Sequence, residues 1–244
     1  MKNKVVLFHG RTSAFQREIK IAPLALLHIS SLLIKDGFEV KIISDTLYRD
    51  HIGETLKQCD DAICLGITAM TGNQISEGLE VASTVKQKYP ELPIVWGGWH
   101  PSIMAESTIK DPNVDIVVIG QGERKFYDLV KSLRVNNRDD LAKIPSLAYK
   151  NNGQIVMNKE FSIEDINNFP TTPYDIIDVE KCLIKTEYGN RTLQYITSYG
   201  CPFRCSFCIE PVVNRRKWVG LSAERVVDEW KYLYRKYKID AIAV

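Results

Sequence analysis

Residues 62–101 read AICLGITAMTGNQISEGLEVASTVKQKYPELPIVWGGWHP. Ala62 to Thr68 is an apolar run that ends in a glycine-bearing loop, Thr68-Ala69-Met70-Thr71-Gly72. From Asn73 to Tyr89 apolar residues recur at helical spacing, and Pro93 to Gly97 is a second apolar run closed by Gly97-Gly98-Trp99-His100-Pro101. Strand, helix, strand in that order is the unit that sets two strands parallel in one sheet.

The same alternation continues on both sides. Upstream lie a strand from Val5 to His9, a helix from Pro23 to Lys35 stopped by Asp36-Gly37, a strand from Glu39 to Ser44 and a weaker helix near Gly53 to Gln58. Downstream lie a short helix near Met104, a strand from Val114 to Ile119, the loop Gly120-Gln121-Gly122-Glu123 and a helix from Glu123 to Arg134. Five apolar strands separated by helices predict an α/β fold: a doubly wound, Rossmann-like parallel sheet over residues 1–135. The strands lack in-out alternation, so both faces of the sheet should be buried under helices. Ligands of such sheets bind at the carboxyl ends of the strands, where the three glycine loops fall. Glycine there lets a backbone approach a ligand and leaves amides free to bind it.

Composition narrows the partners. The chain has 244 residues, 45% of them hydrophobic, and 32 basic residues nearly balance 30 acidic ones. Such a balance gives no field to draw a whole domain onto nucleic acid, so a small-molecule or protein substrate is expected. The opening MKNKVVLFHG breaks at His9 and Gly10, too early for a signal segment or a membrane span, and the cytoplasm is the expected compartment.

After Arg134 the chain turns polar. Ile144 to Asn158 reads as a hairpin around Asn151-Asn152-Gly153, a bridge element, and residues 159–190 hold a two-proline stretch, Asn167-Asn168-Phe169-Pro170-Thr171-Thr172-Pro173, that suits an extended linker. Residues 136–190 are thus read as a connection, and 191–244 as the start of a second domain.

That second part carries the metal signal. A strand from Leu193 to Ser198 runs through Tyr199-Gly200 into Cys201-Pro-Phe-Arg-Cys205-Ser-Phe-Cys208. Three thiols spaced C-x3-C-x2-C on one loop can surround an iron–sulfur cluster or a zinc ion. Zinc needs a fourth ligand, yet no cysteine or histidine follows Cys208, and Cys59, Cys64, Cys182, His51 and His100 form no knuckle-like pair. The other three cysteines read as small core residues. Beyond the loop, Ser222 is placed to cap a helix whose Val226, Val227, Trp230, Leu233 and Tyr234 form an expected buried stripe, and Ile239 to Val244 begins a further strand. Arg215-Arg216-Lys217 reads as a solvated basic run, with a role beside an anionic cluster as the alternative.

The cysteine motif closely resembles that of the radical SAM superfamily. The three glycine loops, in their order, resemble the cobalamin-binding domain that precedes the catalytic domain in one branch of that superfamily, whose members carry GGxHP-like and GEGE-like loops. The resemblance implies that Cys201, Cys205 and Cys208 hold three irons of a [4Fe-4S] cluster. S-adenosylmethionine would chelate the fourth iron and be cleaved by one electron to methionine and a 5′-deoxyadenosyl radical. Phe207 would lie by the adenine, and a flavodoxin- or ferredoxin-type protein would supply the electron. Thr68, Thr71, Gly97, Gly98, His100, Gly120, Gly122 and Glu123 would contact cobalamin. The strand, cluster loop, helix and strand of residues 191–244 would open a partial (β/α) barrel, of which further units are expected beyond Val244.

Two departures stand out. The aspartate-x-histidine-x-x-glycine motif that supplies a lower axial ligand in methionine-synthase-like domains is absent, since His9-Gly10-Arg11 does not match it, and Gln121 stands where the family often has glutamate. Methyl transfer is the reaction the resemblance implies when cobalamin is present. The alternatives are a cobalamin-independent radical SAM enzyme and a non-catalytic iron–sulfur module for electron transfer or redox sensing.

Overall fold

The computed structural model describes residues 2–12, 20–159 and 163–244; residues 160–162 of the expected linker lie outside them. The N-terminal elements are β1 (Lys4–His9), α1 (Leu24–Lys35), β2 (Glu39–Ser44), α2 (His51–Gln58), β3 (Ala62–Thr68) and α3 (Asn73–Lys88). Then come β4 (Ile94–Gly97), α4 (Trp99–Ile103), α5 (Ala105–Lys110), β5 (Ile116–Val118), α6 (Glu123–Arg134) and the hairpin β6 (Leu147–Asn151) and β7 (Gln154–Met157). All seven strands form one sheet in the order β2-β1-β3-β4-β5-β6-β7.

The first five strands are parallel, as the alternation of strands and helices requires. Their side chains divide between two cores. On one face Val5, Leu7, Ile42 and Val95 pack with Leu26, Leu27 and Leu33 of α1 and Phe126, Leu129 and Val130 of α6. On the other, Val6, Phe8, Leu65 and Trp96 pack with Val81, Ala82 and Val85 of α3 and Ile109 of α5. Each such fully buried apolar side chain contributes roughly 1.5–3 kcal/mol, and burial on both faces explains why the strands show no alternation.

The hairpin differs from its expected role as a bridge. β6 pairs antiparallel with β5, and β7 with β6, so the hairpin extends the sheet at its edge and makes it mostly rather than wholly parallel. Tyr149 is buried in the first core and Ala148 in the second, which gives the hairpin both faces of the sheet to pack against.

The C-terminal part contains β8 (Thr192–Gln194), β9 (Ser198–Gly200), α7 (Glu210–Val213), β10 (Trp218–Gly220), α8 (Ala223–Tyr237) and β11 (Ala241–Ala243). β8 and β11 are parallel neighbours joined across α8, a strand-helix-strand unit. The single strand expected from Leu193 to Ser198 is instead two strands with different partners, because β9 leaves β8 to pair antiparallel with β10. The cause is local. Tyr195 still bonds the β11 edge through its N–H to the Ala243 carbonyl at 2.8 Å, and two residues on the Thr197 carbonyl accepts from Leu221, already on the β10 side.

The expected stripe on α8 is also corrected. Leu233 is buried and Val226 and Trp230 pack against the core, but Val227 and Tyr234 are exposed. The inward turn positions between Val226 and Leu233 are shared with Glu229, a buried carboxylate held by Arg225 Nε at 2.7 Å and by the Tyr195 hydroxyl at 2.7 Å. A charged residue so satisfied occupies a place that hydropathy alone assigns to an apolar neighbour. No helix among the described residues is long and apolar enough to cross a membrane.

Candidate functional site

In a sheet ordered β2-β1-β3, the chain crosses from one side of β1 to the other, and a crevice opens at the carboxyl ends beside that switch. A cavity of about 360 Å³ occupies this position. It is edged by His9 after β1, Thr68 after β3, Gly97 and Gly98 after β4, and Gly120, Gln121, Gly122 and Glu123 after β5. Six of the residues expected at a cofactor, Thr68, Gly97, Gly98, Gly120, Gly122 and Glu123, therefore come together around one space. Thr71 and His100 do not line it; the Thr71 hydroxyl and His100 Nδ1 are 3.1 Å apart, and bond each other beside it.

The loops hold one another in place. The Ala69 N–H donates to the Gly97 carbonyl and the His100 N–H to the Ala69 carbonyl, each at 3.0 Å. Gly98 has φ +95°, and a Cβ there would lie 2.6 Å from Thr68 Oγ1 and 3.0 Å from the Ala69 carbonyl oxygen, so only glycine permits this close approach of the two loops. Ser102 then ties the second loop to the third: its hydroxyl donates to the Gly98 carbonyl at 2.6 Å and accepts from the Gly120 N–H at 2.9 Å. Lys125 fixes the start of the third loop by donating to the Ile119 carbonyl at 2.8 Å; burial lowers its pKa to about 8.

The lining is mostly apolar, with Ile21, Leu24, Ile29, Val95, Val118 and Phe126 among its residues. Its polar members include His9, Gln74 and Glu123. Burial lowers the His9 pKa below its ordinary value, and Gln74 reaches the imidazole at 3.3 Å while accepting from the Met70 N–H at 2.8 Å. Burial likewise raises the Glu123 carboxyl above its ordinary range. Glu123 hydrogen-bonds Tyr199, whose hydroxyl also meets His28 Nδ1. Burial, with the nearby charge of Arg225, lowers the His28 pKa to about 4, so the imidazole is neutral.

His9, Gln74, Ser102, Tyr199 and Asn214 were not singled out from the sequence. His9 could have been, because it ends the first strand of a switch-point sheet. Tyr199 could not, since its place depends on how the C-terminal part packs.

That packing brings the cysteine loop to the site. Tyr199, two residues before Cys201, and Val213 and Asn214, at the end of α7 beyond Cys208, complete the cavity wall. The loop is closed at its base by the ladder Gly200↔Trp218, Tyr199↔Val219 and Ser198↔Gly220. Gly200 has φ +85°, and a Cβ would come within 1.9 Å of the Lys217 carbonyl oxygen, which makes glycine obligatory just before the first cysteine.

The six cysteines fall into two classes. Cys59, Cys64 and Cys182 are buried, and burial pushes the thiols of Cys59 and Cys182 up to about 12 and that of Cys64 higher still. They are inert core residues. Cys201 and Cys208 are half-buried and Cys205 is exposed, all three as free thiols on one loop. Among the described residues no three His, Cys, Asp or Glu side chains are gathered closely enough to hold a metal ion. The donor set nevertheless suits a thiolate-ligated cluster, with three accessible soft ligands within eight residues. The upstream candidates for a fourth zinc ligand are engaged elsewhere: Cys59, Cys64 and Cys182 lie in the cores, and the buried His51 bonds Glu77 at 2.9 Å. Phe207 is 91% exposed on the same loop, and Arg215, Arg216 and Lys217 are exposed after it.

Comparison with known proteins agrees with this layout. Residues 14–130 match the B12 binding domain family. An uncharacterized methyltransferase of Pyrococcus horikoshii is 32% identical over 225 residues, a match covering 90% of this chain and 47% of the relative. The chain spans about half the length of that relative.

Among solved structures, the radical S-adenosylmethionine methyltransferase TsrM of Kitasatospora setae, with cobalamin and a [4Fe-4S] cluster bound, superposes with a TM-score of 0.71 at 20% identity, over 97% of this chain and 46% of that one. The cobalamin-dependent S-adenosylmethionine radical enzyme OxsB with aqua-cobalamin gives a TM-score of 0.75 at 22% identity, over 96% and 32%. The N-terminal part of this chain thus matches the B12 binding domain family over residues 14–130, and the chain as a whole shares its fold with cobalamin-dependent radical SAM enzymes.

Proposed function

We propose that this chain is the cofactor-bearing part of a cobalamin-dependent radical SAM enzyme that transfers a methyl group to, or otherwise functionalises, a carbon of a small-molecule or protein substrate. One observation carries the reading: the cavity at the carboxyl edge of the sheet is lined both by the glycine loops and by Tyr199, Val213 and Asn214, which lie on either side of the three cysteines in the chain. Two cofactor sites adjoining one space are what a reaction needing both requires.

In this reading Cys201, Cys205 and Cys208 hold a [4Fe-4S] cluster, and Phe207 packs beside the adenine of S-adenosylmethionine. The backbones of Gly97, Gly98, Gly120 and Gly122, with Thr68 and Glu123, meet the cobalamin in the cavity, and Thr71 and His100 reach it from beside the cavity. A largely apolar basin edged by backbone amides suits a broad macrocycle with an amide-bearing rim. When bound, the cluster and S-adenosylmethionine supply a radical that opens a C–H bond, and cobalamin supplies a transferable methyl group. The chain's own residues bind, orient and exclude water: the apolar lining keeps the space dry, and Ser102 and Lys125 hold the glycine loops. The electron would come from a flavodoxin- or ferredoxin-type protein.

The test is anaerobic reconstitution of the chain with iron, sulfide and hydroxocobalamin, followed by electron paramagnetic resonance of the reduced protein. A [4Fe-4S] signal that shifts on adding S-adenosylmethionine, together with a retained corrinoid absorbance, is the expected result. Zinc in place of a cluster would sink the reading. A cluster signal indifferent to S-adenosylmethionine would favour an electron carrier, and a responsive cluster without retained corrinoid would favour a cobalamin-independent enzyme.

A further inference from the structure

Gln121 sits in the cavity-lining loop between β5 and α6 and Glu123 is the first residue of α6, and each grips a different piece of the C-terminal half. The Gln121 carboxamide uses both of its polar atoms on one residue: Nε2 donates to the Glu164 carbonyl at 3.1 Å, and Oε1 accepts from the Glu164 N–H at 2.7 Å. Glu164 begins a strap that runs to Pro170. The far end of that strap is held by Arg225 of α8, whose Nη1 donates to the carbonyls of Ile166, Asn167 and Phe169 at 3.0, 3.2 and 2.9 Å and whose Nη2 donates to that of Pro170 at 3.0 Å. Asn167 adds a bridge, donating to the Gly220 carbonyl at 3.0 Å and accepting from the Ser222 N–H at 2.9 Å.

Glu123 makes the second connection. Its carboxyl is buried and bonds the Tyr199 hydroxyl, and these two residues form the wall shared by the cavity and a smaller one of about 30 Å³. Tyr199 pairs with Val219 in the ladder that closes the cysteine loop.

We infer that Gln121 and Glu123 are positioning residues that link corrinoid binding in the cavity to cluster binding at Cys201, Cys205 and Cys208, so that each cofactor strengthens the binding of the other. The inference rests on the function proposed above. A ligand that orders the backbone of residues 120–123 also orders the strap and β9, because the same two side chains hold both. By linkage, ordering of the cysteine loop by its cluster is returned as affinity in the cavity. The identity of Gln121 follows from this role. A glutamate there would still accept from the Glu164 N–H but would set a carboxylate against the Glu164 carbonyl, so one bond becomes a repulsion.

The experiment is an anaerobic absorbance titration of the full chain with hydroxocobalamin, with and without a reconstituted cluster. The expected result is affinity at least about fivefold tighter with the cluster present, the lower end of common coupling strengths. Gln121→Glu and Tyr199→Phe, both nearly isosteric, should bring that ratio towards one while each variant still unfolds in a cooperative transition well above the temperature of the titration. Equal affinity with and without cluster in the parent would overturn the inference while leaving the proposed function standing. An unchanged ratio in both variants would overturn the assignment to these residues. Absence of any corrinoid binding or of any cluster would overturn function and inference together.

Discussion

At the carboxyl edge of the seven-stranded sheet the first glycine loop is bonded to the second through Ala69 and the second to the third through Ser102, whereas the cysteine loop is closed at its base by the β9–β10 ladder and carries Phe203 and Phe207 68% and 91% exposed. The first region is shaped by the protein alone, over two packed cores. The second offers three thiols, Cys201 and Cys208 half-buried and Cys205 exposed, an arrangement that would suit the metal-ordered loop of the proposed function, since ligation free energy is also ordering free energy. Under the proposed function, a basin preformed by the sheet and a loop ordered by its metal would let the chain recognise one cofactor by shape and the other by coordination.

The sharpest way to break this comparison is to remove a thiol from each of its two classes in turn. Alanine at Cys201, Cys205 or Cys208 should remove most of the bound iron, measured colorimetrically after anaerobic reconstitution, and should leave the thermal transition of the sheet in place. Alanine at the buried Cys64 should do the reverse, keeping iron and costing about 1 kcal/mol in denaturant melts. Iron loss from the buried variant would erase the distinction.

The next effect is in acid. His28 has a folded-state pKa of about 4 against an ordinary 6.5. Between those values the unfolded chain binds the proton that the folded chain refuses, so stability rises with pH there and is lost as pH falls from 6.5 towards 4. At about 1.4 kcal/mol per pH unit the loss is up to about 3 kcal/mol. Denaturant melts at pH 7 and pH 4.5 should show it, and His28→Gln should flatten this part of the slope. An unaltered slope in that variant would remove His28 as the cause.

Smaller again is the effect of Gly200→Ala, which forces the left-handed backbone and a clash with the Lys217 carbonyl. It should cost about 1–3 kcal/mol, the usual range for such strain. Because the clash lies in the β9–β10 ladder, iron retention should fall further than the melting temperature of the sheet; equal losses in both would mean that the ladder and the sheet unfold as one.

The sheet was legible in the sequence because its strands are continuous apolar runs punctuated by glycine, and Ala62–Thr68 and Glu123–Arg134 were readable to the residue. The cavity edge was legible for a related reason: a parallel sheet leaves its ligand loops after its strands. What periodicity could not give was any contact set by packing across the chain. Tyr199 reads as a strand residue until β9 turns against β10, and Glu229 reads as the polar interruption of an apolar stripe until Arg225 and Tyr195 meet it. Gln121 appeared only as a departure from a family pattern. Its two bonds to Glu164 span 43 residues, a pairing no local pattern encodes.

The central claim is that the cavity and the cysteine loop serve one site, and the most direct test is electron paramagnetic resonance of the chain loaded with both cob(II)alamin and a reduced cluster. Two neighbouring spins should broaden or split one another, so the spectrum of the doubly loaded protein should differ from the sum of the two singly loaded spectra. A spectrum equal to that sum, with both cofactors shown to be present in full, would contradict the account.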